Sequence, residues 1–381
     1  MNQGFLDEEL IRNFRNVINS TNIFCDGNQK DKFNLICAVM DRIDTCVRYL
    51  NNHDIYPDSE ESFITFFVYG AMIKDAVYQL SKSFTGEYPS DNTSLFAPTF
   101  QCVSEYNHSV AVSDDKYFEY MRSLVFAHPI ETSRAKFLRP KEVQYSPWVI
   151  VGDAAKTLLH QPDGIGIRIY SNLTDDSINL LFPFRVLKEY IRTRYENMNN
   201  CLKWAQNEIS KKKNEWKAQK INRLSEPNDI LREIKSILES RYESTAEVEQ
   251  LIHDLTCPIS VRNNKKAVEK YRTAIISALP DICDSIESLQ DIWGTASYKW
   301  LTRRPKKMHQ MASYQLEKIN SYLRLDRASS NYRFGIMQAD AFADEFAKNW
   351  VEIDTASMDP EEIQFLTRVA CFLEAEEQER G

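Results

Sequence analysis

Two segments near the start of the chain set its fold class. In residues 31–52, Ile36, Val39, Met40, Ile43, Val47 and Leu50 recur three and four apart, and in 60–83 Phe63, Phe66, Phe67, Ile73, Val77 and Leu80 do the same. That period lines one face of an α-helix. Only 10 of the 381 residues are glycine, too few for a turn-rich β protein, so helices are expected elsewhere as well. Gly70 lies on the apolar face of the second stripe and predicts the close approach of a neighbouring helix. A shorter helix over 6–19 presents Leu10, Phe14 and Val17. Another over 114–128 points Tyr117, Met121, Leu124 and Val125 inward. Pro129 disfavours helical backbone at His128, so that helix should stop there. The polar stretch 84–113, with Gly86, Pro89 and Pro98, is long for a loop in a compact domain.

The period changes between 147 and 185. Residues 148–151, 165–170 and 178–182 read as three short strands, punctuated by Gly152, the 162–164 turn and Asp175-Asp176. They predict a small antiparallel meander. Helices return from 185 to 223 and over 227–256, 264–290, 296–324, 337–350 and 359–379, with Pro258, Pro280 and Pro305 marking breaks or helix starts. Asp359-Pro360 is a good helix start. The expected architecture is mainly α: a bundle over 1–145, a β connector over 146–185 and a helical domain over 186–381. At this length more than one domain is the natural expectation.

A net charge of −8 argues against bulk electrostatic attachment to nucleic acid but leaves room for a local basic face. The eight cysteines, at 25, 37, 46, 102, 201, 257, 283 and 371, form no Cys-x-x-Cys or Cys-x-x-His pair, which excludes zinc-finger spacing. No secretory signal opens the sequence and no run of 18 apolar residues occurs, so a reducing, cytoplasmic setting without membrane attachment is expected. No spacing of Asp, Glu or His implies a metal, and no cofactor is expected.

Arg122 and His128 stand six apart with Leu124, Val125, Phe126 and Ala127 between them. A guanidinium can grip a phosphate with two hydrogen bonds, and an imidazole can move a proton near neutral pH. Similar spacings occur at Arg48–His53 and at Arg303 and Arg304 before His309. Only the Arg122 segment has an apolar filling that would anchor both groups at the rim of a core. A helix C-terminus at His128 would favour its charged form.

This segment, Arg122-Ser123 followed by His128, resembles the signature of the HEPN superfamily: an arginine, a polar residue, a few more residues, then histidine. The polar position is most often asparagine in that superfamily and is Ser123 here. The resemblance covers about the first 145 residues. It implies a bundle of four or five helices and a metal-independent endoribonuclease, often a toxin or antiviral effector, acting as a homodimer. It further implies that Arg122 holds the scissile phosphate, His128 serves as general acid or base and Ser123 orients one of them by a hydrogen bond. Asp75, on the third helix, is the candidate partner of Arg122.

A second feature is the basic run 185–223, with 11 Lys or Arg against four Glu, interleaved with Tyr195, Trp204 and Trp216. Lys211, Lys212, Lys213, Lys217 and Lys220 could follow a phosphate backbone while Trp216 stacks a base; the plainer reading is a solvated helix face over buried tryptophans. The segment 149–157 is similar to a phosphate loop but is one residue short and lacks the glycine before lysine. The acidic end at Glu374, Glu376, Glu377 and Glu379 reads as a solvated terminus. Two functions therefore stand side by side. One is an RNA-binding protein or endoribonuclease of HEPN type, with RNA, a second copy and a protein partner or antitoxin as its expected partners; the other is a non-catalytic helical protein for dimerisation or partner binding.

Overall fold

A computed structural model describes residues 4–25, 30–90, 92–101, 112–137 and 139–380. Cys102, His108 and part of the 84–113 stretch lie outside them. The chain divides into two compact units, Met1–Ile209 and Ser210–Gly381.

In the first unit, α1 (Glu8–Asn19) begins at an Asp7 cap, α2 (Lys30–Asn52) follows, and α3 (Glu60–Thr85) starts from a Ser59–Ser62 capping box and ends at Gly86 in the left-handed conformation (φ 85°). Each side-chain cap satisfies an N–H that the first turn leaves unpaired. The short α4 (Ala97–Gln101) and α5 (Asp114–Arg122) complete the helical part before the sheet.

The strands β1 (Gln144–Tyr145), β2 (Val149–Ile150), β3 (Gly164–Ser171) and β4 (Thr174–Pro183) are antiparallel, with β3 paired to all the others, and α6 (Gly152–Leu159) joins β2 to β3. Ile165, Ile167 and Ile169 are wholly buried on one face of β3. They join the helical core together with Ile178, Leu180 and Phe182 of β4. The sheet is thus a wall of the bundle, which corrects the expected division at 145 and 185: the alternation that marks a strand does not say which surface its apolar face covers.

α7 (Phe184–Glu196) and α8 (Met198–Ala218) replace the single expected helix over 185–223. The Asn197 amide donates to the Thr193 and Arg194 carbonyls, 3.3 Å each, and the chain turns there. A methyl group at Gly70 would sit 2.3 Å from Ile191 Cδ1, so α7 is the close neighbour that the glycine predicted.

The second unit contains α9 (Pro227–Ser240), α10 (Ala246–Thr256), α11 (Lys265–Glu287), α12 (Ala296–Leu301), α13 (Ala312–Tyr322), α14 (Ser330–Glu345) and α15 (Pro360–Arg380). Its core gathers around α15, where Ile363, Phe365, Leu366, Val369, Ala370, Phe372 and Leu373 are all buried. Arg241 is 1% exposed and has no carboxylate partner among the described residues; it donates to the Ile286 carbonyl (2.8 Å), the Trp216 carbonyl (3.1 Å) and Gln219 Oε1 (3.0 Å), and burial lowers its pKa. It pins the ends of two helices, where carbonyl groups lack helical partners. Pro280 sits inside α11 rather than breaking it. The carbonyl it leaves unbonded belongs to Ile276, an exposed position where water can take over the bond. Among the described residues no helix is long and apolar enough to cross a membrane.

Candidate functional site

The site is built on α5 and the turn that follows it. Asp114, 1% exposed, accepts the backbone N–H groups of Leu95 and Phe96 at 2.8 and 2.9 Å and so ties the start of α5 to the preceding segment. Asp115, one residue on, accepts from Tyr78 Oη (2.6 Å), Tyr190 Oη (2.7 Å) and Arg194 Nε (2.8 Å), which locks α5 against α3 and α7. Burial is the largest single influence and opposes the Arg194 charge, but the Asp115 hydrogen bond together with the charges of Tyr190, Asp115 and Tyr78 outweighs it and raises the Arg194 pKa. The Tyr190 hydroxyl is pushed well above its ordinary pKa by burial and then by Asp115. This polar cluster is scaffold: its members bond one another.

α5 ends as an α-helix at Arg122 and widens into a π-turn over Ser123–Ala127, closed by His128 N–H donating to the Ser123 carbonyl at 3.0 Å. Leu124 and Val125 are buried, as their role of anchoring the rim requires, and His128 leaves the helix at φ −147°. A π-turn inserts one residue per turn and re-aims the side chains beyond it.

The three residues singled out in the sequence meet different fates. The Arg122 guanidinium, about one-third exposed, directs Nη1 to Asp75 Oδ2 at 3.2 Å and Glu119 Oε2 at 3.4 Å, and lies over the Phe126 ring. Asp75 is thus its partner, as the sequence suggested. Glu119 is shared with Lys74, 2.5 Å away on α3, so two cations and two carboxylates form a closed network. Ser123 is 2% exposed; its hydroxyl donates to the Tyr120 carbonyl (2.7 Å) and accepts from Thr132 (3.1 Å), which leaves it no reach towards a substrate. His128 is exposed, and its ring forms no hydrogen bond among the described residues.

His128 lines an open cleft of about 690 Å³ together with Lys116, Glu119, Tyr120, Glu131, Thr132, Ser133, Arg134, Lys136 and Phe137, but not Arg122. Lys116 lies 4.8 Å from the centre of the Phe137 ring. Lys116, Arg134 and Lys136 are exposed, and no carboxylate among the described residues pairs with any of them. Glu119 already serves Lys74 and Arg122, so the cleft has a positive balance. Sequence reasoning missed these three cations. The signal available was the Arg-x-Lys pair just beyond the helix-ending proline; that Lys116 faces it follows only from the chain reversal.

In the basic run, Lys211, Lys212, Lys213, Lys217 and Lys220 are exposed, but Lys212 pairs with Glu215 (3.0 Å) and Lys220 with Glu287 (2.9 Å). Trp216 is 8% exposed with its ring towards Arg241, which corrects its expected role as a stacking platform: its face is already covered. The false phosphate loop is a strand followed by α6, with Lys156 paired to Asp153. Cys46, Cys201, Cys257, Cys283 and Cys371 are free thiols, and burial pushes the pKa of Cys46 up to about 11 and those of Cys201 and Cys371 to about 12. No group of three or more His, Cys, Asp or Glu among the described residues could hold a metal ion. No protein-family model, curated protein or solved structure matches this chain.

Proposed function

We propose that the first unit is a HEPN-like RNA-binding domain whose contact surface is the cleft beside His128. The observation that carries this reading is an exposed imidazole with no hydrogen-bond partner among the described residues, set in one concavity with three cations that form no ion pair among those residues. Lys and Arg in such a cleft attract phosphates and release their counterions, and the imidazole adds a donor or acceptor to the backbone. Binding without turnover is the leading form, because the guanidinium a phosphodiesterase would aim at its transition state is held between Asp75 and Glu119.

The test is anisotropy of a labelled single-stranded RNA in EDTA across a salt series. Wild type should bind more weakly as salt rises. The double charge reversal Arg134→Glu with Lys136→Glu should reduce both affinity and salt slope, by about 0.7 in the log–log slope for each phosphate that the variant no longer neutralises on a single strand. Unchanged binding in that variant would remove the cleft from the RNA surface. The second reading, a metal-independent endoribonuclease acting as a homodimer, is favoured by the free His128 imidazole alone. It requires RNA cleavage in EDTA that disappears in His128→Ala.

A further inference from the structure

The outer face of the sheet carries aromatic side chains that its own core does not use. Tyr145 of β1 stands directly opposite Tyr170 of β3, and cross-strand partners share a face. Trp148, just before β2, accepts the Arg168 N–H at its carbonyl (3.1 Å) and sets its ring edge-on to Tyr170, centroids 6.5 Å apart. All three rings are exposed: Tyr145 38%, Trp148 46% and Tyr170 45%. Arg168 belongs to the same face by strand alternation; its guanidinium donates to the Ser177 hydroxyl and meets no carboxylate among the described residues. The acidic pair Asp175 and Asp176 lies on β4 between Thr174, which pairs with Ser171, and Ile178, which pairs with Ile169, and so stands beside Tyr170.

The strand that carries Tyr145 is tied to the wall of the cleft. Gln144, next to Tyr145, exchanges two backbone hydrogen bonds with Thr132 (2.8 and 2.9 Å), and its side chain accepts from Tyr120 Oη at 2.6 Å. On the other side of Tyr145, Ser146 N–H donates to the Pro129 carbonyl at 2.7 Å. Thr132 and Tyr120 line the cleft, and Pro129 follows His128. The aromatic face and the cationic cleft are thus fixed to each other by four hydrogen bonds within one unit.

We infer that Tyr145, Trp148 and Tyr170 form a stacking platform for the bases of a single RNA strand whose phosphates run from Arg168 into the His128 cleft. The inference rests on the RNA-binding reading and gives it a substrate class: unpaired RNA. Aromatic side chains stack every base, whereas bases in a duplex are already stacked on one another. A protein partner would equally welcome three aromatic rings, but it would not need Arg168 on the sheet and Lys116, Arg134 and Lys136 in the cleft, none of which forms an ion pair among the described residues. The charge pattern selects the polyanion.

The experiment compares a labelled ten-uridine RNA with a duplex of the same length. Trp148→Ala and Tyr170→Ala should each weaken single-strand binding about tenfold, since stacking on one ring is worth about 1–3 kcal/mol and 1.4 kcal/mol is a factor of ten. Trp148→Phe, which keeps a ring, should bind close to wild type; this separates stacking from damage to the fold. If Trp148→Ala and Tyr170→Ala bind as wild type does while Arg134→Glu with Lys136→Glu binds weakly, the platform is refuted and the cleft reading stands. Equal affinity of wild type for the duplex also refutes the platform. No salt-dependent binding of either RNA by wild type removes both readings.

Discussion

Replacing Arg122 with alanine separates a scaffold role from a chemical one, and its cost can be worked from the ion pairs it makes. Both use Nη1, at 3.2 and 3.4 Å, and the guanidinium is about one-third exposed, so solvent screens them. Partly exposed pairs of this kind contribute about 0.2–1 kcal/mol each. The Phe126 ring, 5.7 Å from the guanidinium carbon, adds about 0.5 kcal/mol. Glu119 keeps Lys74 as a counter-ion in the variant, so no buried charge is left alone. The expected total is about 1–2 kcal/mol, which for a unit of some 200 residues lowers Tm by about 3–6 °C. His128→Ala, in contrast, removes an exposed ring that forms no hydrogen bond among the described residues and should leave Tm unchanged.

The assay is thermal unfolding of both variants alongside RNA binding and RNA cleavage in EDTA. Arg122→Ala should unfold earlier and bind RNA as wild type does; His128→Ala should unfold with wild type and bind more weakly. The opposite pattern would refute the reasoning. If Arg122→Ala kept its Tm and lost RNA binding or an EDTA-resistant cleavage, its guanidinium would be on the substrate rather than on Asp75 and Glu119.

Two more perturbations test the packing and the electrostatics. Gly70→Ala would ordinarily strengthen a helix interior by about 1 kcal/mol. Here the added methyl falls 2.3 Å from Ile191 Cδ1 and 2.8 Å from Cγ1, so the variant should instead lose about 1–3 kcal/mol, read from the urea midpoint. The Glu287 carboxyl is held at about 2 by its hydrogen bond to Lys220, against burial and with help from the Ile221 N–H and Arg223. A depressed carboxyl stabilises the fold above its unfolded pKa of about 4.3 and loses that contribution as pH falls towards its folded value. Glu287→Gln should therefore be less stable than wild type in urea at pH 7, and the difference should shrink between about pH 5 and pH 2; a gap that stayed constant would show that the carboxylate is not stabilised by these partners.

The features readable in the sequence are those whose cause is local or steric. The stripes of α2 and α3 declare helices because a single face must be buried, and Gly70 declares its neighbour because a missing side chain only matters where another helix comes close. The end of α5 is half legible. Pro129 does stop the helix before it, but the turn widens already at Ser123, whose hydroxyl takes up the Tyr120 carbonyl at 2.7 Å, a competition between side chain and backbone that serine offers anywhere and uses only in context. Pro280 shows the converse: α11 tolerates it because the freed carbonyl meets water, a fact about exposure and not about proline.

The site itself is legible only in part, because its character depends on which charges find partners. Arg122 reads in the sequence as a free cation beside a histidine, yet Glu119 three residues earlier and Asp75 on α3 neutralise it. The first partner lies within sight along one helix face, and the second is brought in by tertiary packing from 47 residues away. The cations that stay unpaired among the described residues, Lys116, Arg134 and Lys136, carry no mark, since a lysine in sequence looks the same whether or not a carboxylate will meet it. The aromatic face of the sheet is hidden for a related reason. Tyr145 and Tyr170 are distant in the chain, and only the β1–β3 register places them side by side, while the covering that would bury them never arrives. An exposed ring paired with an unneutralised cation is what a fold retains when stability does not require either. That surplus, and not the Arg–His spacing, is the physical ground for proposing an RNA strand on this surface.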